Sequence, residues 1–246
     1  MARHSKWNNI KHHKAAADKK RGKVFTKHAK LIAVTARGGA DPDLNPLLRM
    51  AIDNARAVRV PNENIERAIR KGSGEGKDAA VFEEIVYEGF GPGGVALLIE
   101  VLTDNRNRAF GNLKTTMGKR GGRVAENGAV AWMFQKIGEI ILKVPAGGVE
   151  ELELAAIDLG ADDVEVGEEE NPGVSLVKIT CSPENLGRMR LELSSKGYQI
   201  DSSQMTFVAG NKVTLEEGST EMAELDRLIE CIEVDDDVCE VYTNLE

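Results

Sequence analysis

Apolar residues recur every three or four positions from Asp18 to Arg37, where Phe25, Ala29, Ile32, Ala33 and Ala36 share one face and Gly38-Gly39 marks a stop. This stretch is predicted to be a helix. DPDLNPLLRMAIDNARAV (41–58) opens on turn-formers and continues as a second helix, with Leu47, Ala51 and Ala55 on one face. A third starts at Pro61 or Asn62, sets Ile65, Ala68 and Ile69 on its apolar side and ends at Gly72. Residues 72–80 (GSGEGKDAA) have linker composition, which predicts that the helical unit swings relative to the rest of the chain.

Beyond the linker the period changes. FEEIVYEGF and GVALLIEVLT read as strands around a Gly/Pro turn, NRAFGNLKTTMGKRGG as a helix, and GAVAWMF as a strand with Trp132 and Phe134 on one core-facing side. GEIILKV, VEELELAAIDLG, DDVEVGE, SLVKITC, PENLGRMRLELSSKGY and QIDSSQMTFV then run in the order β-α-β-β-α-β of a ferredoxin-like unit, with EEENPG (168–173) as its middle turn. TEMAELDRLIECIEV and CEVYTNL close the chain as a helix and a strand. The expected fold class is therefore α+β in three domains: a helical one over 1–77, a discontinuous α/β one over 78–134 plus 207–246, and a ferredoxin-like one inserted at 135–206.

Charge changes this picture from architecture to function. The chain carries a formal net charge of −8, yet residues 1–77 sum to +11, 78–123 to zero and 124–246 to −19. A basic end on an acidic protein attracts polyanions and orients the molecule on them. With 4% aromatic residues, a large stacking platform for single-stranded bases is not expected. Cys181, Cys231 and Cys239 form no CxxC pair and suggest reduced thiols in a cytoplasmic protein. VALLIEVL is interrupted by Glu100, so no membrane span is expected, and the basic N-terminus lacks the apolar segment of a secretory signal.

Catalytic and metal patterns are missing from the sequence. No Ser/His/Asp set, HExxH or Walker loop occurs, and the protein is expected not to be an enzyme and to need no cofactor or small-molecule substrate. GFGPGG (89–94) satisfies G-x-G-x-x-G, but a strand comes after it where a phosphate-binding fingerprint needs a helix, so it reads as a hairpin turn. His4, His12, His13 and His28 match no zinc spacing and lie among lysines that oppose a dication.

Candidate nucleic-acid contacts are correspondingly basic. Lys19, Lys23, Lys27 and Lys30 line one edge of the first helix without an interleaved Glu, either as a solvated face or as a phosphate-facing stripe, and the stripe is preferred. Lys6, Lys11, Lys14, Lys20 and Arg21 extend that charge, and Trp7 is either a base-stacking residue or a hydrophobic anchor. Arg67, Arg70 and Lys71 project from the third helix. In LTDNRNR (102–108), Asp104 or Asn105 caps a helix whose first turn holds Arg106 and Arg108, where the helix dipole disfavours cations. Either an external anion or nearby acidic strands would account for them.

Taken together, HSKWNNIKHHKAAADKKRGKVFTK, GGADPDLNPLLRMAI, VPNENIERAIRKGSG, YEGFGPGGVALLIE, LTDNRNR, GAVAWMF and VYTN resemble the YebC/PmpR family, which includes a mitochondrial translational activator of a cytochrome oxidase subunit. The segment 109–122 departs from the family's pattern, with Gly111 and Gly118 in place of better helix formers. The resemblance implies the three domains above, and a cytoplasmic protein that is either a DNA-binding transcriptional regulator or a ribosome-associated factor relieving stalling at proline-rich stretches. The residues by themselves support a polyanion-binding, non-enzymatic protein. Residues 62–71 offer the only groove-sized helix, without clear helix-turn-helix spacing, while the Lys/His/Arg tail resembles extensions that thread structured RNA. The expectation leans to ribosomal RNA, with duplex DNA as the alternative and a protein-binding adaptor acting through the acidic part as a remote third.

Overall fold

A computed structural model describes residues 17–74, 82–171 and 173–246. Its elements in chain order are α1 (Ala17–Ala36), α2 (Pro46–Ala57), α3 (Asn62–Gly72), β1 (Glu83–Phe90), β2 (Ala96–Thr103), α4 (Arg106–Lys119), β3 (Arg123–Val124), β4 (Phe134–Pro145), α5 (Val149–Asp158), β5 (Asp163–Asn171), β6 (Val174–Cys181), α6 (Leu186–Ser195), β7 (Gln199–Ala209), α7 (Thr220–Glu233) and β8 (Val238–Thr243). The fold is α+β.

The three N-terminal helices share a core of Ile32, Ala36, Leu48, Ile52, Ala55, Val60, Ile65 and Ala68. Helix α2 begins where it does because Pro46 suits the first helical position and the Asn45 side chain accepts from the Leu48 N–H at 3.1 Å. The Asn45 amide also donates to the carbonyls of Thr35 and Gly39, tying α2 to the end of α1. The buried row of α2 is Leu48, Ala51, Ile52 and Ala55, whereas Leu47 is exposed. This corrects the face expected from Leu47, because the i, i+3, i+4, i+7 set starting at Leu48 gives a wider apolar stripe. α1 and α3 touch backbone to backbone: a Cβ on Gly72 would lie 2.1 Å from the Ala33 carbonyl oxygen, so only glycine fits.

The first sheet runs β3-β1-β2-β8, with β1 antiparallel to β2 and β2 antiparallel to β8. GFGPGG is the hairpin turn between β1 and β2, with Gly93 and Gly94 in the left-handed region at φ 68° and 74°. Leu97, Ile99 and Val101 on one side of β2 meet Leu113 and Met117 of α4 and Leu225, Leu228 and Ile232 of α7. The chain leaves this sheet after β3, builds the second one, and returns as α7 and β8.

The second sheet runs β5-β6-β4-β7 with every neighbouring pair antiparallel, which is the split β-α-β arrangement of a ferredoxin-like unit. Ile140, Leu142 and Val144 of β4 and Val177 and Ile179 of β6 pack on Leu152 of α5 and Leu186, Met189 and Leu193 of α6. Between the two sheets lies a smaller cluster of Ala96, Leu98, Val130 and Tyr242 with Phe134 and Phe207 against it.

The stretch read as the strand GAVAWMF takes a different shape. Residues 131–133 form a 3-10 turn, β4 starts only at Phe134, and Trp132 is 66% exposed where a core position was expected. The cause is Glu88 of β1. Its buried carboxylate accepts from the N–H groups of Gly128 at 2.6 Å, Val130 at 2.7 Å and Ala131 at 2.8 Å, which curls the backbone around it and takes those donors away from any strand partner. Burial pushes this carboxyl up, and the N–H groups outweigh it, holding its pKa below the usual carboxylate range.

The helical layer contacts both sheets. Asn54 of α2 exchanges two hydrogen bonds with the Ser203 backbone of β7, at 2.6 and 3.1 Å, and Asp53 pairs with Arg190 of α6. The linker residues 75–80 expected to let this layer swing lie outside the described residues.

Candidate nucleic-acid interface

The edge of α1 that carries lysines is the edge that meets the acidic end of the chain. Lys30 Nζ sits 2.8 Å from Asp237 Oδ1 and also donates to the carbonyls of Leu102 at 3.1 Å and Asp236 at 2.8 Å. Its side chain is 11% exposed. Lys27 Nζ lies 2.9 Å from Glu240 Oε2. Glu240 on β8 stands opposite Glu100 on β2, so two like charges face each other across the strands and Lys27 supplies the cation between them. Burial alone would lower the Lys27 pKa, and Glu240 together with Cys239 and Glu100 raises it. At Lys27 and Lys30, carboxylates of the same chain take up the charges that the phosphate-facing stripe would offer to a nucleic acid.

Lys23 joins them. Its Nζ is buried with no hydrogen-bond partner among the described residues, and burial lowers its pKa against the pull of Asp236, Glu233 and Asp235. His28, one turn along the helix, has its imidazole pKa pushed down to about 4 by burial, with the Lys27 charge adding to the effect. It is a neutral, packed side chain rather than part of a charged tail. Lys6, Trp7, Lys11 and Lys14 lie outside the described residues, as do the side chains of Lys19, Lys20 and Arg21.

Arg108 has a similar fate. LTDNRNR does open a helix, with the Asn105 side chain accepting from the Arg108 N–H at 3.0 Å. The Arg108 guanidinium bonds Asp104 Oδ1 at 2.7 Å and Asp237 Oδ2 at 2.8 Å, so of the two accounts expected for this arginine the nearby acids are the ones that meet it. Asp237 is the hub of this corner. It is 8% exposed, accepts from Lys30, Arg108 and the Thr103 hydroxyl, and binds α1, α4 and the end of β2 to the turn before β8. Burial raises the Asp237 pKa, and the hydrogen bonds from Lys30 and Arg108 more than reverse it. Arg106 remains exposed.

The outward basic residues lie elsewhere on the helical layer. Arg67 is exposed and pairs with Glu63 one turn earlier at 2.8 Å, and Arg70 is exposed. Lys71 turns back over the Phe82 ring at 4.7 Å. Around the α2–α3 turn stand two more exposed arginines, Arg56 and Arg59, which sequence reasoning passed over. Their signal was present in NARAVRV: two arginines with no acid between Asp53 and Glu63, flanking a turn that Arg59 enters at φ 64°. Arg56, Arg59, Arg67 and Arg70 are thus each exposed, whereas Lys23, Lys27 and Lys30 are partly or largely buried and the half-exposed Arg108 is paired with Asp104 and Asp237.

Among the described residues there is no group of His, Cys, Asp and Glu placed to hold a metal ion, and no helix long and apolar enough to cross a membrane. A basic helical layer is thus set against two antiparallel sheets, with Lys27 and Lys30 of its first helix paired to Glu240 of the last strand and Asp237 just before it. The chain belongs to the TACO1/YebC family, whose models match at residues 5–75 ("TACO1/YebC protein N-terminal domain") and 82–245 ("TACO1/YebC second and third domain"). It is 43% identical to a "Probable transcriptional regulatory protein" of Halothermothrix orenii, over 100% of this chain and 95% of the relative. A protein of the same name from Trichlorobacter lovleyi is 45% identical over 100% of this chain and 96% of its own length. The crystal structure of a conserved hypothetical protein from Aquifex aeolicus superposes with a TM-score of 0.82 at 38% identity, covering 93% of this chain and 91% of that one.

Proposed function

We propose that this protein is a non-enzymatic nucleic-acid-binding regulator of gene expression, and that its partner is duplex DNA. The observation that carries the reading is the charge division, +11 over residues 1–77 against −19 over 124–246, with Arg56, Arg59, Arg67 and Arg70 exposed on the basic side. The names of the relatives, "Probable transcriptional regulatory protein", support transcription as the level of control. In this reading the molecule acts as three domains, 1–77, 78–134 with 207–246, and 135–206. The first meets the nucleic acid and the acidic remainder keeps the complex oriented.

One observation favours a second reading, a ribosome-associated translation factor. The exposed side of α3 carries Glu63 and Glu66 beside its arginines, and carboxylates there oppose entry into a DNA groove. Phosphate contact from the edge of α3, with the Lys/His/Arg tail threading folded RNA, avoids that penalty.

Co-sedimentation with ribosomes and a duplex-DNA shift assay, each in a salt series, separate the two. Both use the intact chain and one lacking residues 1–16, because a cut at residue 30 would also remove the docking lysines Lys27 and Lys30. If six to ten phosphates are contacted, affinity falls by roughly 10³–10⁵ between 50 and 200 mM salt. Sequence-selective shifts at physiological salt establish the DNA reading. Tail-dependent ribosome binding, with shifts only at low salt, replaces it with the ribosomal one.

A further inference from the structure

Pairing of the short strand β3 with the end of β1 sets Arg123 opposite Phe90, with the guanidinium carbon 4.5 Å from the ring centroid. Beside this pair opens a shallow cleft of about 380 Å³, lined by Phe90, Gly91, Gly94, Gly121, Gly122 and Arg123. Its volume falls within the range of about 300–1,000 Å³ usual for small-molecule sites. Four of its six lining residues are glycines, so its floor is made of peptide edges rather than side chains.

Two of those glycines are held by what lies beneath them. A Cβ on Gly91 would sit 2.7 Å from Leu225 Cδ1, and one on Gly122 would sit 2.8 Å from Leu228 Cδ2. The other two, Gly94 and Gly121, both have φ of +74°, and no atom lies within 3.6 Å of where their side chains would begin. Next along the chain, Lys119 and Arg120 are exposed beside Thr116 on a second shallow depression. No acid occurs between residues 105 and 123, and none lines the cleft.

We propose that this cleft holds one unpaired base of a single-stranded nucleic acid, stacked on the outer plane of Arg123, with neighbouring phosphates met by Lys119 and Arg120. The N–H groups of Gly91, Gly94 and Gly122 are taken up by the carbonyls of Val95, Gly91 and Met117. The glycine-lined floor therefore suits a planar heterocycle by leaving its face room free of side chains rather than by reading its edge. The guanidinium, backed on its inner face by Phe90, offers a rigid cationic surface for stacking. A duplex hides its base faces, so only single-stranded segments can fill the cleft. The site lies on the first sheet, apart from the helical layer, and does not depend on duplex DNA being that layer's partner.

The test is fluorescence anisotropy with the full-length chain and three 12-nucleotide probes: single-stranded RNA, single-stranded DNA of the same sequence, and the DNA duplex. Arg123→Lys keeps the charge and loses the stacking plane, while Arg123→Gln loses both. Thermal melts confirm that each variant folds. Removing a stacked base interaction should weaken single-strand binding by at least about fivefold in Arg123→Lys, with duplex binding unchanged. A single 4-thio-pyrimidine in the strand should crosslink within residues 89–94 or 119–123. The preferred single strand identifies RNA or DNA as the source. Wild-type affinity in Arg123→Lys, an equal loss on duplex and single strand, or crosslinks confined to other residues overturns the proposal. Loss of duplex binding alone from the wild-type protein would instead defeat the DNA reading and leave the cleft standing.

Discussion

Two groups of basic residues on the helical layer have the same chemistry and opposite fates. Lys27 and Lys30 on α1 are held at 2.9 and 2.8 Å by Glu240 and Asp237, whereas Arg56, Arg59, Arg67 and Arg70 on α2, α3 and their turn stand in solvent. The first group lies where the helix meets β8 and the end of β2, and there each of these two lysines has a carboxylate that offsets the cost of burying its charge. In the second, Arg67 pairs with Glu63 on its own helix and all four side chains are exposed. Positive charge near the N-terminus therefore falls into two groups, and substitutions should tell them apart: inward residues are expected to change stability and, on the proposed function, outward ones to change binding.

The largest effect is expected at the hub. Asp237→Ala leaves the Lys30 ammonium buried without its carboxylate and should cost about 3–5 kcal/mol in chemical denaturation. A loss under 1 kcal/mol would mean that the helical layer is held mainly by its apolar contacts. The same site sets a pH dependence. The folded-state pKa of Asp237 is depressed, so its contribution is complete above the unfolded value of about 3.9 and disappears as pH falls through the lower folded value. Urea midpoints should thus be flat from pH 5 to 7 and drop below pH 4, and the drop should shrink in Asp237→Asn.

Glu88→Ala should come next. Three N–H groups, one buried at Val130 and two part-buried at Gly128 and Ala131, lose their acceptor, at roughly 1–3 kcal/mol in total once water replaces part of the interaction. Trp132 fluorescence should shift as the 3-10 turn loosens. Unchanged emission would place the cause of that turn elsewhere. Lys27→Met should be milder, about 1 kcal/mol, because the Glu100 carboxyl, already raised by burial, can take up a proton when the cation is gone.

The smallest effect on stability and the sharpest on binding is expected on the outward side. Arg67→Ala and Arg70→Ala should each change stability by no more than about 0.5 kcal/mol. Each should also lower the salt slope of nucleic-acid binding by about one counterion. If they shift the melting curve and leave the slope intact, the distinction between the two groups fails.

Much of the fold was legible from residue spacing. Helices α1 and α3 lie within a residue or two of where Phe25 to Ala36 and Ile65 to Ile69 put them, and the β-α-β-β-α-β run appears with each element in order. GFGPGG was readable as a hairpin because a strand comes directly after it. GAVAWMF was not readable as a turn. Its alternation is that of a strand, and the carboxylate that bends it comes from Glu88, forty residues earlier in the chain. On α2 the sequence allowed two overlapping apolar rows, and contact with α1 and α3 selected the one containing Leu48.

The candidate site was less legible for the same reason. Composition and order along the chain determined the segregation of charge, the helical period of the lysines and the absence of familiar catalytic spacings, since these are properties of neighbours in sequence. Only the tertiary structure decided which cations face solvent, because that depends on what is packed opposite. Asp237 and Glu240 reach Lys30 and Lys27 from 207 and 213 residues away. A helix's period says which side chains share a face, and only packing says what that face meets.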